Sequence, residues 1–163
     1  LTHVNNRTQG ADMRLAFLVT LLIMFIPSFT LADKLSKSSA EIIEQANKEC
    51  NDLENGEFHS TDKAVLQFDF TGNDEPEELV DGAQFSCSTA MTLWGGSGGT
   101  FLWVAAPDKT YEFLAHRWQV ADVDGQNVLL LAVHSSQCSD DIGPCYRAFV
   151  WQDGFRTTTG AYE

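Results

Sequence analysis

Basic side chains are scarce in this sequence, and the stretch between Lys63 and Lys109 has none. The whole chain carries 10 Lys and Arg against 23 Asp and Glu, which gives a formal net charge of −13 at pH 7. Nucleic acids and anionic membrane surfaces attract proteins mainly through patches of Lys and Arg. The shortage of such residues therefore argues against both classes of partner.

A hydrophobic run long enough to cross a bilayer is also missing. The candidate run, Leu15–Ile26, has about a dozen residues, whereas a membrane-spanning helix needs roughly 20. It follows Met13 and Arg14, and it precedes a segment with small residues at its third-last and last places, an order typical of a secretory signal peptide. We therefore expect a signal peptide over residues 13–32 and non-structural upstream sequence over residues 1–12.

Cleavage after Ala32 predicts a periplasmic or secreted protein without a membrane span. Residues 33–163 are then a normal length for a single domain, and we expect its core over about residues 40–155.

The cysteines include no Cys-x-x-Cys pair, and no clustered histidines accompany them, which argues against a thiolate metal site. All four cysteines, Cys50, Cys87, Cys138 and Cys145, follow the predicted signal peptide. An even number of cysteines in an exported chain predicts two disulfides, for which three pairings exist. We favour Cys138 with Cys145, which closes a short loop, and Cys50 with Cys87, which ties the first helix to the sheet.

Signatures of common enzymes are missing as well. The chain has neither a Gly-x-Ser-x-Gly elbow nor a His-Glu-x-x-His helix, and its Gly95–Gly99 turn lacks the Lys-Ser/Thr of a phosphate loop. His134-Ser135-Ser136 beside Asp140 and Asp141 supplies the residue types of a base, a nucleophile and an acid. Adjacent residues on a strand point to opposite faces, however, so His134 and Ser135 would not meet. We therefore expect no catalysis.

A helix is predicted near the start of the mature chain, over residues 40–53. Ile42, Ala46 and Cys50 lie along one of its faces, and Ser38 or Ser39 is positioned to cap its first turn. Asn55-Gly56 then marks its end.

After Gly56 the spacing of apolar residues is no longer helical, and short runs of aromatic and β-branched residues alternate with turn residues. Turn signals at Gly95–Gly99 and Asp124-Gly125 predict antiparallel hairpins. The sequence therefore predicts a mainly β, α+β fold: an antiparallel sheet or small sandwich with one N-terminal helix, stapled by disulfides. The tryptophans of these strands are expected to pack in the core or at its rim. Strands are expected at residues 58–60, 64–70, 78–80, 84–94, 100–105, 110–115, 117–123, 127–135 and 147–152.

An acidic loop over residues 69–81 lies between two apolar runs. Oxygen-bearing side chains stand at its first, third, fifth and ninth places, a spacing that lets a tight turn point them at one hard cation. The alternative is a solvated acidic turn satisfied by water and its own backbone hydrogen bonds. The ligands predicted for Ca²⁺ are Asp69, Thr71, Asn73, the Glu75 carbonyl and Glu77.

A series of short segments follows in order between residues 50 and 155, including Gly56-Glu57-Phe58, the acidic loop, Phe85-Ser86-Cys87-Ser88, His116-Arg117-Trp118 and Gly143-Pro144-Cys145. This order resembles a group of uncharacterised exported proteins of Gram-negative bacteria. The resemblance implies the periplasm and no particular activity. In that group the acidic loop often resembles the calcium loops of FG-GAP repeats. The present loop is similar at Asp69, Gly72, Pro76 and Glu77 and departs from them at Thr71, Asn73 and Asp74.

The sequence thus predicts a non-catalytic periplasmic binding or structural module, stabilised by calcium if the acidic loop binds it. One alternative is an inhibitor or partner of a cationic envelope protein such as a basic hydrolase, because a strongly acidic surface steers cationic partners. A second alternative is a periplasmic hydrolase.

Overall fold

A computed structural model of the chain describes residues 35–107, 109–138 and 145–157. The predicted signal peptide and the residues before it lie outside these ranges. The described residues confirm a mainly β fold with a single α-helix, α1, at Lys37–Asp52. The strands are β1 Phe58–Ser60, β2 Val65–Phe68, β3 Glu77–Asp81, β4 Phe85–Cys87, β5 Gly95–Gly96, β6 Gly99–Ala105, β7 Thr110–Ala115, β8 Arg117–Val123, β9 Gln126–Val133, β10 Cys145–Trp151 and β11 Phe155–Thr157.

The strands form two larger antiparallel sheets and one small pair. Sheet 1 has the order β2-β3-β6-β5 with β7 also paired to β6, sheet 2 has the order β11-β10-β9-β8, and β1 pairs with β4. The β8–β9 hairpin turns through Asp124 and Gly125, whose φ angles of 52° and 83° are the left-handed pair that a tight hairpin turn requires. The hairpin predicted at Asp124-Gly125 is therefore confirmed.

The two sheets pack face to face, and α1 covers the outer face of sheet 1. Leu79 of sheet 1 belongs to the same buried cluster as Leu129 and Leu131 of sheet 2. Val80, the next residue of sheet 1, belongs instead to a cluster that includes Ala46 of α1. The layers are therefore helix, sheet 1 and sheet 2, and the middle of sheet 1 is buried on both sides.

β3 occupies that middle position, and all five of its residues are buried. Alternate residues of a strand point to opposite faces, so Leu79 faces sheet 2 while Val80 faces α1. By the same alternation Glu77 and Asp81 lie on the side of sheet 2, and Glu78 lies on the side of the helix. The strand thus carries three carboxylates into the interior.

The start of α1 differs from the prediction: Ser36, not Ser38 or Ser39, is the N-cap. The Ser36 hydroxyl accepts a hydrogen bond from the Ser39 N–H at 3.2 Å and donates one to Glu78 at 2.6 Å. The Ser36 N–H also donates to the two Glu78 oxygens, at 3.1 and 3.0 Å. The cap prediction was wrong because a carboxylate 42 residues away in sequence fixes the helix start.

Two disulfides are present, and they are the pairs favoured from the sequence. Cys50 near the end of α1 bonds to Cys87 of β4, with a Cα–Cα distance of 5.6 Å. Cys138 bonds to Cys145 with a Cα–Cα distance of 6.2 Å. Structural disulfides persist in oxidising compartments, so this framework fits a non-cytoplasmic protein.

The strand predicted over residues 84–94 is wrong beyond Cys87. β4 ends there, and residues 91–94 form a turn before the two residues of β5. Trp94 is 5% exposed and packs edge-on against Phe58 and Phe85, with ring centroids 5.4 and 5.5 Å apart. Burial of this indole beside α1 stabilises the turn against a continued strand.

No helix within the described ranges is long and apolar enough to cross a membrane.

Replacing Glu78 by Ala should lower the free energy of unfolding by about 1–3 kcal/mol, because the N–H and hydroxyl of Ser36 lose their acceptor in a partly buried site. Glu78→Gln keeps one acceptor oxygen and should cost less. Urea unfolding of both variants beside the wild type measures the difference. An alanine variant as stable as the wild type would show that Glu78 does not anchor the helix.

Candidate functional site

Asp69 organises the backbone of the acidic loop. Its Oδ1 accepts hydrogen bonds from the N–H groups of Gly72 and Asn73, at 2.6 and 3.2 Å, and its Oδ2 accepts one from Asp74 at 3.0 Å. Asp74 has a φ of 66°, which is left-handed and tolerated by Asp better than by most residues. The Asn127 side chain donates to the Asp69 carbonyl at 2.9 Å. The loop is therefore wrapped around one carboxylate and tied to sheet 2.

Glu77 closes the same loop from inside and is only 4% exposed. Its Oε2 accepts the N–H groups of Phe70 and Thr71 at 2.7 and 3.2 Å. Its Oε1 accepts the Thr71 hydroxyl at 2.9 Å. Both oxygens of this carboxylate are thus engaged by the chain itself.

The residues predicted as calcium ligands are brought together, and hydrogen bonds within the loop connect them. Asn73 Oδ1 accepts the Glu75 N–H at 2.8 Å, so each predicted ligand residue takes part in such a bond. Across the described ranges no three His, Cys, Asp or Glu side chains are grouped as a metal site would need. The contacts match the alternative of a self-satisfied acidic turn, and calcium binding stays a prediction.

The remaining acids of residues 69–81 are either exposed or buried. Asp74 and Glu75 are exposed, while Glu78 and Asp81 are buried. Asp81 accepts the Trp118 indole N–H at 3.1 Å and the Ala83 N–H at 2.9 Å. No salt bridge to a buried acid of β3 occurs in the described part of the chain. Glu78 and Asp81 are therefore structural acceptors, and only Asp74 and Glu75 at the tip of the loop are solvated.

His134 has a local structural contact. Its Nδ1 accepts the Ser136 N–H at 3.2 Å and lies 2.8 Å from the Ser136 hydroxyl oxygen, so the ring caps the 3₁₀ turn Ser135–Gln137. The candidate acids Asp140 and Asp141 lie outside the described residues. The second alternative from the sequence, a periplasmic hydrolase, stays a prediction.

A cleft of about 430 Å³ opens between α1 and the β6–β7 part of sheet 1. Ile42 and Ala46 line it from the helix. Trp103 lines it from β6, and Trp94 lines it from the turn before β5. The lining combines these apolar and aromatic side chains with polar ones, and the cleft opens beside the helix rather than at the acidic loop.

Carboxylates stand on both walls of this cleft. Glu41 and Glu49 line it from α1, where their spacing of two helical turns puts them on one face. Glu49 accepts the Trp94 indole N–H at 3.3 Å. On the opposite wall Glu112 of β7 accepts the Trp103 indole N–H at 3.0 Å. Each indole therefore holds one carboxylate at the cleft.

The sequence did not single out Trp103 and Glu112 as a pair. Tryptophans in predicted strands pack in the core by default, and Glu112 is one acid among many. The two residues face each other because Trp103 and Glu112 are registered partners in the β6–β7 ladder. The sequence pattern gave only one partial indication of this cleft, the helical spacing of Glu41 and Glu49.

No known protein family, curated protein or solved structure matches this chain. The resemblance to exported proteins of Gram-negative bacteria therefore stays a prediction. The two candidate sites differ in their contacts: the side chains of the acidic loop mostly accept hydrogen bonds from the loop's own backbone, whereas the cleft beside α1 presents the partly exposed Trp103 indole and exposed carboxylates. We take the cleft and the helix beside it as the candidate functional site.

Replacing Asp69 by Ala should lower the free energy of unfolding by about 1–3 kcal/mol, since three backbone N–H groups lose their acceptor. The loss should be present in chelator as well as in calcium. Asp69→Asn is the matched control, because its amide oxygen can still accept. Thermal melts in calcium and in chelator measure both effects. A calcium-dependent rise in Tm of the wild type that vanishes in the alanine variant would instead support the predicted metal site.

Proposed function

We propose that this protein is a non-catalytic binding module of an extracytoplasmic compartment. Its partner is a cationic protein, such as a basic hydrolase of the cell envelope, and the docking surface is the acidic helix. The observation that carries the proposal is the uncompensated charge of α1 and the turn that follows it. This helix surface comprises Glu41, Glu44, Glu49, Asp52, Glu54 and Glu57, against Lys37 and Lys48.

Few of these charges are neutralised from within the molecule. Across the described residues there is one salt bridge, between Lys37 and Glu41 at 3.4 Å, and both side chains are mostly exposed. Exposed pairs of this kind contribute little to stability. The acids of the helix surface therefore remain available to a partner, and such surfaces steer oppositely charged proteins toward productive encounters.

The difference between the buried acids and the exposed acids of α1 supports a binding role. The carboxylates inside the fold, Glu77, Glu78 and Asp81, have their oxygens engaged by hydrogen bonds that hold the structure. The acids on α1 are exposed or partly exposed and have few contacts with the rest of the chain. The helix and the turn after it therefore carry one accessible group of acids that the fold does not need.

The compartment is supported by the covalent framework. Two disulfides in a small domain fit an oxidising environment, as does the signal peptide predicted from the sequence. A partner would therefore be a protein of the envelope or of the medium.

A charge-matched pair of variants tests the docking surface. The purified, oxidised protein is immobilised and exposed to a Gram-negative periplasmic extract at low and high salt, and retained proteins are identified by mass spectrometry. We expect the retained proteins to be basic and to elute with salt. Replacing Glu44, Asp52 and Glu57 by their amides should reduce their retention about tenfold or more, because the rate of association depends on the local field.

The control variant carries the same change in net charge on sheet 2: Asp122→Asn, Asp124→Asn and Asp153→Asn. Asn tolerates the left-handed backbone of Asp124 and Asp153, so this variant should fold. It should retain the basic proteins as the wild type does. Equal losses in the two variants would show attraction to net charge alone and would contradict docking on α1.

A further inference from the structure

The two tryptophans of the cleft belong to a packed aromatic cluster. Trp103 stacks on Phe101 at 5.7 Å with 21° between the ring planes, and on Phe85 at 6.2 Å with 26°. Trp94 meets Phe58 and Phe85 edge-on. Aromatic pairs at such distances stabilise one another beyond their buried area. Both indoles are therefore held in place before any ligand arrives.

The carboxylates at the cleft are held in place by these indoles and keep capacity for a ligand. The Trp103 N–H occupies one oxygen of Glu112, and the other oxygen has no hydrogen bond within the described part of the structure. Glu49 accepts from the Trp94 indole and from the Gln45 amide, while each carboxylate oxygen has two lone pairs. An incoming donor can therefore bond to a carboxylate without displacing an indole.

Positive charge is lacking among the side chains that line the cleft. The described lining includes no Lys, Arg or His. The cation beside it is Lys37, whose side chain is 90% exposed and contacts Glu41 at 3.4 Å. Of the three carboxylates on the two walls, only Glu41 has a cationic partner among the described residues, and a cationic ligand complements the charge of Glu49 and Glu112.

We propose that this cleft binds the guanidinium group of an arginine side chain on the partner protein. The inference rests on the proposed binding of a cationic protein and specifies the group that is recognised. The guanidinium would stack on the partly exposed indole of Trp103 and donate hydrogen bonds to Glu112 on one wall and to Glu49 or Glu41 on the other.

Arginine suits this cleft better than lysine or a metal ion. The guanidinium is planar and weakly hydrated, it stacks on aromatic rings, and its five N–H donors form a fork that matches carboxylates. An ammonium is a compact, strongly hydrated charge that gains less from an aromatic wall. A metal ion needs converging oxygens, whereas the carboxylates of this cleft are distributed over two walls and form no metal-binding group among the described residues.

The test uses arginine itself as a probe. The ¹⁵N-labelled protein is titrated with N-acetyl-arginine methylamide while the indole N–H signals of its tryptophans are followed by NMR. We expect saturable shifts of the Trp94 and Trp103 signals. The lysine analogue should bind about tenfold more weakly, and the glutamate analogue should leave both signals unchanged.

Two variants locate the binding group. Glu112→Gln keeps an acceptor for the Trp103 N–H but removes the charge, and it should weaken arginine binding about tenfold, as expected for the loss of one charge-assisted bond. Trp103→Phe keeps an aromatic packing partner and should weaken it less. Asp122→Asn is the matched control, because Asp122 is exposed on β8 of sheet 2 and does not line the cleft. Its affinity for arginine should equal that of the wild type.

Three results would overturn the proposal: equal affinity for the arginine and lysine analogues, equal losses in the Glu112 and Asp122 variants, or shifts that do not saturate. Each of them leaves the docking of basic proteins on the helix surface to be judged by the extract experiment. Conversely, arginine binding in the cleft together with no retention of basic proteins would overturn the proposed function alone.

Discussion

The burial of β3 on both faces is the constraint on which the rest of the structure depends. A carboxylate taken out of water without compensation costs several kcal/mol, and β3 carries three of them inside with no cationic partner among the described residues. Each one is satisfied by donors from a different part of the fold. Glu77 binds the acidic loop, Glu78 binds the start of α1, and Asp81 binds the Trp118 indole of sheet 2. The side chains of β3 thereby connect sheet 1 to both the helix and sheet 2.

The candidate site is a consequence of that arrangement. Glu78 fixes the beginning of α1 and the Cys50–Cys87 disulfide fixes its end, so the helix is held at both ends over sheet 1. Its flank then faces Trp103 and Glu112 across a gap that neither element fills. Because the indoles pack against other aromatic rings and the helix is tied at both ends, the walls of the cleft are positioned before a ligand binds, and such preorganisation lowers the entropic cost of binding.

Most of the fold could be predicted from local patterns. The change from helical to alternating period after Gly56, and the turn at Asp124-Gly125, are local signals, because they reflect backbone preferences that a few neighbouring residues decide. The errors came where a distant contact overrides a local preference. The helix is capped by Ser36 because Glu78 accepts hydrogen bonds from that residue. The chain after Cys87 forms a turn, not a strand, because Trp94 is buried beside α1.

Residue types and short-range spacing are enough to predict the acidity of the protein, its four cysteines and its helix-plus-strand composition. They leave two interpretations of the acidic loop open and do not distinguish one tryptophan from another. Which acids are buried and which are exposed depends on the tertiary structure. That distinction, like the pairing of Trp103 with Glu112, depends on strand register and on layer packing. Both are long-range properties, and a one-residue change of register would place the same side chains on the opposite face.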